Sequence, residues 1–214
     1  MSTTEARRSG LFISFEGLDG SGKTTQIELL AERLRSAGRE VVVAVEPGGT
    51  RIGEQIRQVL LDARNREMAP TTEMLLYFAS RAQNLAEVIR PALAQGAVVL
   101  ADRFTDSTLA YQGYGRGLGE EAVRLLHRVA CGDLDPDLTL LLDIDPETSL
   151  ARARERGQAN RMDNQAAEFY LRVRNAYLAM AARGPHRFRV IDARAVPEAV
   201  AAAVWEAVEP LLKR

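Results

Sequence analysis

The chain has 214 residues, of which 46% are hydrophobic and 27% charged, the proportions of a globular domain that can bury a proper core. Its net charge of −1 gives no basic footprint for nucleic acid, and its single cysteine, Cys131, excludes an internal disulfide framework and suits a reducing compartment. No apolar run approaches the length of a membrane span, and segment 1–10 lacks the apolar stretch of a signal peptide. We therefore expect a cytoplasmic protein without membrane contact. We also expect a disordered tail at 1–10 and one domain at 11–214.

Apolar strand-like runs alternate with amphipathic helices along the chain. The predicted elements are a strand at 11–16, a helix at 26–37, a strand at 41–45, a helix capped by Thr50 and ending near 62, a long helix from about 71 to 95 bent at Pro91, a strand at 97–101, a helix at 120–130, a strand at 138–142, two helices around a polar break at 157–160, a strand at 188–191 and a helix at 197–212. Five strands with helical crossovers predict an α/β fold, a five-stranded parallel sheet with helices on both faces. Ligands bind such sheets at the carboxyl ends of the strands, where Glu46, Asp102 and Asp143 fall.

The turn after the first strand matches the phosphate-binding pattern G-x-x-x-x-G-K-[ST]. Its flanks, a strand and then a helix, are the context that a P-loop needs, because inward backbone N–H groups and a helix N-terminus attract anions. The chain has only two lysines, and one stands in this loop, where a compact ammonium fits and a guanidinium does not. Lys23 is predicted to reach the terminal phosphates and Thr24 to bind Mg²⁺; the predicted ATP-binding residues are Gly17, Leu18, Asp19, Gly20, Ser21, Gly22, Lys23, Thr24 and Thr25.

Three classes of P-loop protein compete at this point. A switch GTPase needs an Asn-Lys-x-Asp motif, which lysines at 23 and 213 alone cannot supply. An ATPase module that acts on a protein partner stays open. A small-molecule kinase needs an acceptor pocket and a mobile basic cover, and the candidates for the pocket are 46–50, 77–81, 102–104 and 110–113. Asp102 ends a strand where P-loop enzymes place the carboxylate that orders Mg²⁺.

Each of these candidates has a structural alternative. Tyr77 and Phe78 on a helix favour core packing from the pattern alone, and Asp102 with Arg103 could form a local surface ion pair. Four arginines flank or lie near the polar break, at 152, 154, 156 and 161, and predict a basic lid at about 150–163. The alternative for this cluster is a solvated basic helix face.

Taken together, four segments resemble the thymidylate kinases, a family of nucleoside monophosphate kinases with the P-loop NTPase fold. They are EGLDGSGKTT at 16–25, EPGGT at 46–50, Asp102-Arg103 and AYQG at 110–113. The resemblance implies phosphoryl transfer from MgATP to dTMP, giving dTDP and ADP, by a protein that is typically a homodimer. A deoxyribonucleoside kinase, which also combines a P-loop with Asp-Arg, is the alternative enzyme. One departure is Val45, which stands where many bacterial members have arginine before EPGGT.

The same resemblance implies the roles of individual residues. Tyr77 stacks on thymine, Arg81 donates to a thymine carbonyl, and Tyr111 lies under the sugar. Asp19 and Arg103 hold the acceptor phosphate. The implied substrate-binding residues are Asp19, Glu46, Tyr77, Arg81, Arg103, Thr108, Tyr111 and Gln112; the implied metal ligands are Thr24 and Asp102; the implied catalytic residues are Lys23, Arg103 and the lid residue Arg154, with Arg156 as second choice.

Overall fold

A computed structural model describes residues 10–155, 161 and 167–213, without the side chains of residues 153 and 154. Its five strands form one sheet with the order β2-β3-β1-β4-β5, and every neighbouring pair is parallel. The strands are β1 (Leu11–Glu16), β2 (Val41–Val45), β3 (Val98–Asp102), β4 (Leu138–Asp143) and β5 (Phe188–Asp192). The predicted fold class is therefore confirmed. Residues 1–9 of the expected tail lie outside the described part of the chain.

The helices also follow the predicted order. They are α1 (Lys23–Ser36), α2 (Arg51–Leu61), α3 (Pro70–Asn84), α4 (Arg90–Ala94), α5 (Thr105–Thr108), α6 (Glu120–Cys131), α7 (Pro146–Glu155), α8 (Ala167–Arg183) and α9 (Pro197–Leu212). Thr50 caps α2 as predicted, since its hydroxyl oxygen accepts from the backbone nitrogen of Gly53 at 2.9 Å. Among these described helices, none is long and apolar enough to cross a bilayer.

Two π-helical turns depart from the prediction. The first, Leu85–Ile89, joins α3 to α4, so the irregularity in the long helix lies just before Pro91, whose nitrogen has no hydrogen to donate. The second, Leu109–Gly115, continues α5. The sequence pattern predicts no helix over 105–115, whereas the structure has α5 and this π turn there.

The core lies on both faces of the sheet because the side chains of each strand alternate. Ile13 and Phe15 of β1 point into the larger cluster, which also contains residues of α1, α6, α8 and α9. Phe12 points into a smaller cluster with the first π turn and the buried thiol of Cys131. Burial raises the pKa of that thiol to about 11, so Cys131 acts as a small apolar residue rather than as a nucleophile.

Candidate active site

The loop between β1 and α1 has the backbone that the glycine pattern predicts. Gly20 and Gly22 have φ angles of 76° and 88°, in the left-handed region that side chains disfavour. A Cβ on Gly17 would lie 2.4 Å from the carbonyl oxygen of Leu142, so glycine is needed there for the close approach to β4. The loop therefore presents its backbone beside the N-terminus of α1.

Lys23 folds its side chain back into this loop. Its Nζ donates to the carbonyl oxygens of Leu18 at 2.9 Å and Gly17 at 3.3 Å. Burial, followed by the positive charge of Arg103, lowers the pKa of Lys23 to about 8, against the opposing effect of nearby Asp102. The ammonium group is thus the central charge of the loop, and its protonation is sensitive to an added anion.

Thr24 and Asp102 form a pair of oxygen donors at the carboxyl edge of the sheet. The Thr24 hydroxyl donates to Oδ2 of Asp102 at 3.4 Å, and the contact is exposed to solvent. Within the described ranges, no group of three or more His, Cys, Asp or Glu residues could hold a metal ion. One carboxylate and one hydroxyl fit a Mg²⁺ ion that takes its remaining ligands from phosphates and water.

A cavity of about 220 Å³ opens beside the loop and brings the candidate residues together. Its wall includes the P-loop residues Lys23 and Thr24 and the strand-end residue Asp102. All eight residues to which the resemblance gives a substrate-binding role line its wall: Asp19, Glu46, Tyr77, Arg81, Arg103, Thr108, Tyr111 and Gln112. Five further lining residues had no assigned role: Val45, Pro47, Arg57, Leu61 and Ser107. No sequence pattern distinguishes Arg57 as a site residue, because it is one arginine among many and lies on a half-exposed helix.

Arg81 is held rigidly in the wall of the cavity. Its Nε donates to Glu46 at 2.6 Å, and its Nη2 donates to Thr108 Oγ1 and to the carbonyl oxygen of Phe104, both at 3.1 Å. Its Nη1 is buried and has no hydrogen-bond partner within the described structure. Burial raises the pKa of Glu46, and the Arg81 charge acts in the opposite direction. Arg81 therefore offers the cavity one fixed N–H donor group.

The two adjacent aromatic residues on α3 have different surroundings. Phe78 packs into the larger core cluster, as the pattern alone favours. Tyr77 is half-buried and lines the cavity, where burial and then the charge of Glu73 raise its pKa to about 12. Its phenol is therefore neutral at ordinary pH and presents a flat apolar ring.

Arg103 joins the P-loop to the cavity. Its guanidinium pairs with Asp19 at 2.8 Å, so it is not tied up in a local ion pair with its neighbour Asp102. It also donates to the Gly17 carbonyl oxygen at 3.0 Å and lies 5.1 Å from the ring centroid of Tyr111. The backbone of Arg103 has a φ of 74°, a strained conformation for a residue with a side chain.

Glu16 binds residues next to Arg103 and was missed as a site residue. Its buried carboxylate accepts from the backbone nitrogen of Phe104 at 2.7 Å and from the hydroxyls of Ser107 and Tyr177. Burial, followed by the charge of Asp106, raises the pKa of Glu16 to about 7. A carboxylate that ends an apolar strand is the signal that could have found it.

The arginines predicted to form a lid differ in their surroundings. Arg152 donates to the carbonyl oxygens of Gly20 and Ala193, so it contacts the P-loop. Arg161 fits neither a mobile cover nor a solvated face, because it is buried, pairs with Glu73 at 2.6 Å and donates to the Leu60 carbonyl oxygen. The side chain of Arg154 and the whole of Arg156 lie outside the described residues.

Comparisons of the sequence and of the structure with known proteins all point to one family. A family model described as thymidylate kinase matches residues 15–204. The thymidylate kinase of Pelotomaculum thermopropionicum is 54% identical over 204 residues, which cover 95% of this chain and 94% of that protein. The thymidylate kinase of Geobacter sulfurreducens is 53% identical over 201 residues, which cover 91% of this chain and 94% of that protein. A crystal structure of thymidylate kinase from Ehrlichia chaffeensis matches with a TM-score of 0.78 at 35% identity, covering 94% of this chain and 99% of that one.

Proposed function

Because the chain belongs to the thymidylate kinase family and phosphorylates dTMP to dTDP, we propose that dTMP binds in the 220 Å³ cavity and MgATP on the P-loop beside it. The observation that carries this assignment is the composition of the cavity wall. Two cations, Lys23 and Arg103, line the same cavity as an aromatic ring and a fixed donor, Tyr77 and Arg81. A nucleoside monophosphate needs both sets, because its phosphate binds cations and its base stacks on a ring and accepts hydrogen bonds.

The residues proposed to contact the base suit thymine. The unpaired Nη1 of Arg81 would donate to a thymine carbonyl, and the neutral ring of Tyr77 would stack on the base. Cytosine presents an amino group at the corresponding edge, so the donor of Arg81 would face another donor. A site built around such a polar contact rejects the wrong base strongly.

The sugar and phosphate would lie over Tyr111 and Arg103. The Tyr111 ring would lie under the sugar and exclude a 2′-hydroxyl, which gives preference for the deoxynucleotide. Arg103 would bind the acceptor phosphate while Asp19 keeps its guanidinium in place. The strained backbone and the Glu16 contacts support this assignment because they hold Arg103 in one position.

The chemical step is positioning and charge neutralisation. An oxygen of the dTMP phosphate, already ionised at neutral pH, attacks the γ-phosphorus of ATP as the bond to the β-phosphate oxygen breaks and ADP leaves. Lys23 and Arg103 would reduce the repulsion between the two anionic groups. Thr24 and Asp102 would hold Mg²⁺, which when bound neutralises charge on the ATP phosphates. Arg154 is proposed as a further cation on the transferred phosphoryl group.

The protein is also proposed to be a cytoplasmic homodimer. Helices α2, α3 and α6 pack side by side and expose large apolar side chains. Val59, Leu75, Leu125 and Val129 are each between 45% and 77% exposed. Exposed apolar side chains on neighbouring helices support an interface between two copies of the chain, and light scattering on the purified protein measures the oligomeric state directly.

A single assay tests the assignment of the acceptor. ADP release is measured with dTMP, dUMP, dCMP, thymidine or no acceptor. We expect dTMP to be turned over far more efficiently than dCMP or thymidine, because Arg81 suits a carbonyl and Arg103 suits a phosphate. Faster turnover of thymidine would favour a deoxyribonucleoside kinase, and ADP release independent of acceptor would favour an ATPase module.

A further inference from the structure

A buried carboxylate next to the proposed base-binding residue Gln112 has no role in the reaction described so far. Glu73 lies on α3, four residues before Tyr77 and eight before Arg81, so the three side chains share one helix face. Its side chain is 1% exposed. The residue does not line the cavity, but it contacts one that does, Gln112.

The hydrogen bonds to Glu73 use both carboxylate oxygens. Oε1 accepts from Gln112 Nε2 at 2.8 Å and from Arg116 Nε at 3.2 Å. Oε2 accepts from Arg116 Nη2 at 3.1 Å and lies 2.6 Å from Arg161 Nη2. Burial alone would raise the pKa of Glu73, but the hydrogen bonds from Arg116 and Gln112 outweigh it and lower the pKa. Glu73 is therefore ionised and can only accept hydrogen bonds.

This contact determines which way the Gln112 amide points. An ionised carboxylate cannot donate, so only the amide nitrogen of Gln112 can face Glu73. The amide oxygen, bonded to the same carbon as the nitrogen, is then turned away from Glu73 and remains available as an acceptor. Thymine and uracil carry a hydrogen on N3, whereas N3 of cytosine is itself an acceptor.

We infer that Glu73 is a specificity-determining positioning residue: it holds the Gln112 amide so that its oxygen accepts the N3–H of thymine or uracil and repels N3 of cytosine. The inference rests on the proposed binding of dTMP in the cavity. Arg116 and Arg161 maintain the negative charge on which the orientation depends. Gln112 and Arg81 then discriminate at neighbouring positions of the base, one as acceptor and one as donor.

The test compares three acceptors in the full-length protein. Glu73→Gln keeps the shape of the side chain, but its amide can accept or donate, so Gln112 is no longer held in one orientation. We expect the ratio of kcat/KM for dTMP over dCMP to fall by about tenfold or more, the effect of one buried hydrogen bond. The ratio for dTMP over dUMP should stay unchanged, because uracil has the same N3–H. KM for ATP should also stay unchanged.

A second variant covers the case in which Glu73→Gln fails to fold. Glu73→Asp keeps the charge for both guanidinium groups but withdraws the carboxylate by about 1.5 Å, one carbon–carbon bond, out of reach of Gln112. It should lose dTMP-over-dCMP discrimination in the same way. Glu120→Gln is the matched control, since Glu120, like Glu73, pairs with two arginines, but it lies at the surface and away from Gln112.

Gln112→Met separates positioning from general damage. If Glu73 acts through Gln112, adding Glu73→Gln to Gln112→Met should cause no further loss of discrimination against dCMP. Additive losses, parent-like discrimination in a folded Glu73 variant, or an equal loss against dUMP would each overturn the inference. If the parent protein does not use dTMP at all, the proposed binding mode fails first, and the two failures are distinguished.

Discussion

Removing Arg81 should destabilise the protein strongly, and by an amount that depends on pH. The side chains of Arg81 and Glu46 are 1% and 2% exposed, so Arg81→Met leaves an uncompensated buried carboxylate. Breaking a buried pair in this way costs about 3–5 kcal/mol, a large part of a typical total of about 5–15 kcal/mol. The carbonyl oxygen of Phe104 and the hydroxyl of Thr108 lose their donor as well.

The sign of the pH dependence follows from Glu46. Burial already raises its pKa in the folded protein, and loss of the Arg81 charge raises it further. A carboxyl group whose folded pKa lies above its unfolded pKa takes up its proton first in the folded state as the pH falls. The destabilisation caused by Arg81→Met should therefore be largest above the folded pKa of Glu46 and shrink at lower pH.

Urea unfolding followed by circular dichroism, at about pH 8 and about pH 5.5, measures both effects. The double variant Arg81→Met with Glu46→Met is the control, because an apolar pair of similar volume can replace a buried ion pair without loss of stability. It should recover most of the unfolding free energy but keep a raised KM for dTMP, since the donor to thymine is gone. A single variant within about 1 kcal/mol of the parent at both pH values would refute the reasoning.

Lys23→Ala should abolish most activity while leaving the melting temperature near that of the parent. Lys23→Arg should also have a low kcat, because a guanidinium differs from an ammonium in size and shape. A near-normal kcat for Lys23→Arg would show that charge alone suffices. The pKa of the Lys23 ammonium is lowered to about 8, so kcat/KM of the parent should fall as the pH rises through that value. Bound phosphates stabilise the protonated ammonium, so kcat should fall only at a higher pH. Arg154→Ala should lower kcat by about 10²-fold with little change in KM for dTMP. Steady-state kinetics on alanine variants at 152, 154, 156 and 161 check this, and kcat values all within about threefold of the parent would contradict a catalytic arginine in this cluster.

The strands could be predicted because each is a short, mostly apolar run bounded by polar or glycine residues. Leu11–Glu16 and Val41–Val45 end where the pattern places them, and so does the last helix, Pro197–Leu212. The run 105–115 could not be predicted in the same way. Its first four residues are polar yet buried, since partners from distant segments satisfy them. Hydrophobic periodicity is absent there, and only the tertiary structure reveals the helix.

The candidate site shows the same division between local and long-range information. The P-loop is a local pattern, so its residues and backbone could be read directly. Arg81 and Glu46 are 35 residues apart, and Arg103 and Asp19 are 84 apart, so no spacing could have paired them. Glu73 is different, because its distance of four residues from Tyr77 placed it on the same helix face. It was missed because a single glutamate on a helix is usually a solvated charge.

The strand order has a consequence for how the chain folds during synthesis. β1, which leads into the P-loop, lies at the centre of the sheet between β3 and β4, and Ser14 of β1 contacts Thr139 of β4 across 125 residues. At about 5–20 residues per second, a ribosome takes about 6–25 s to make that interval. During this time β1 is an apolar segment with at least one unpaired edge, the form in which nascent chains aggregate. We therefore expect ribosome-bound chains stopped before β4 to bind chaperones strongly, and chains extended through β5 to release them.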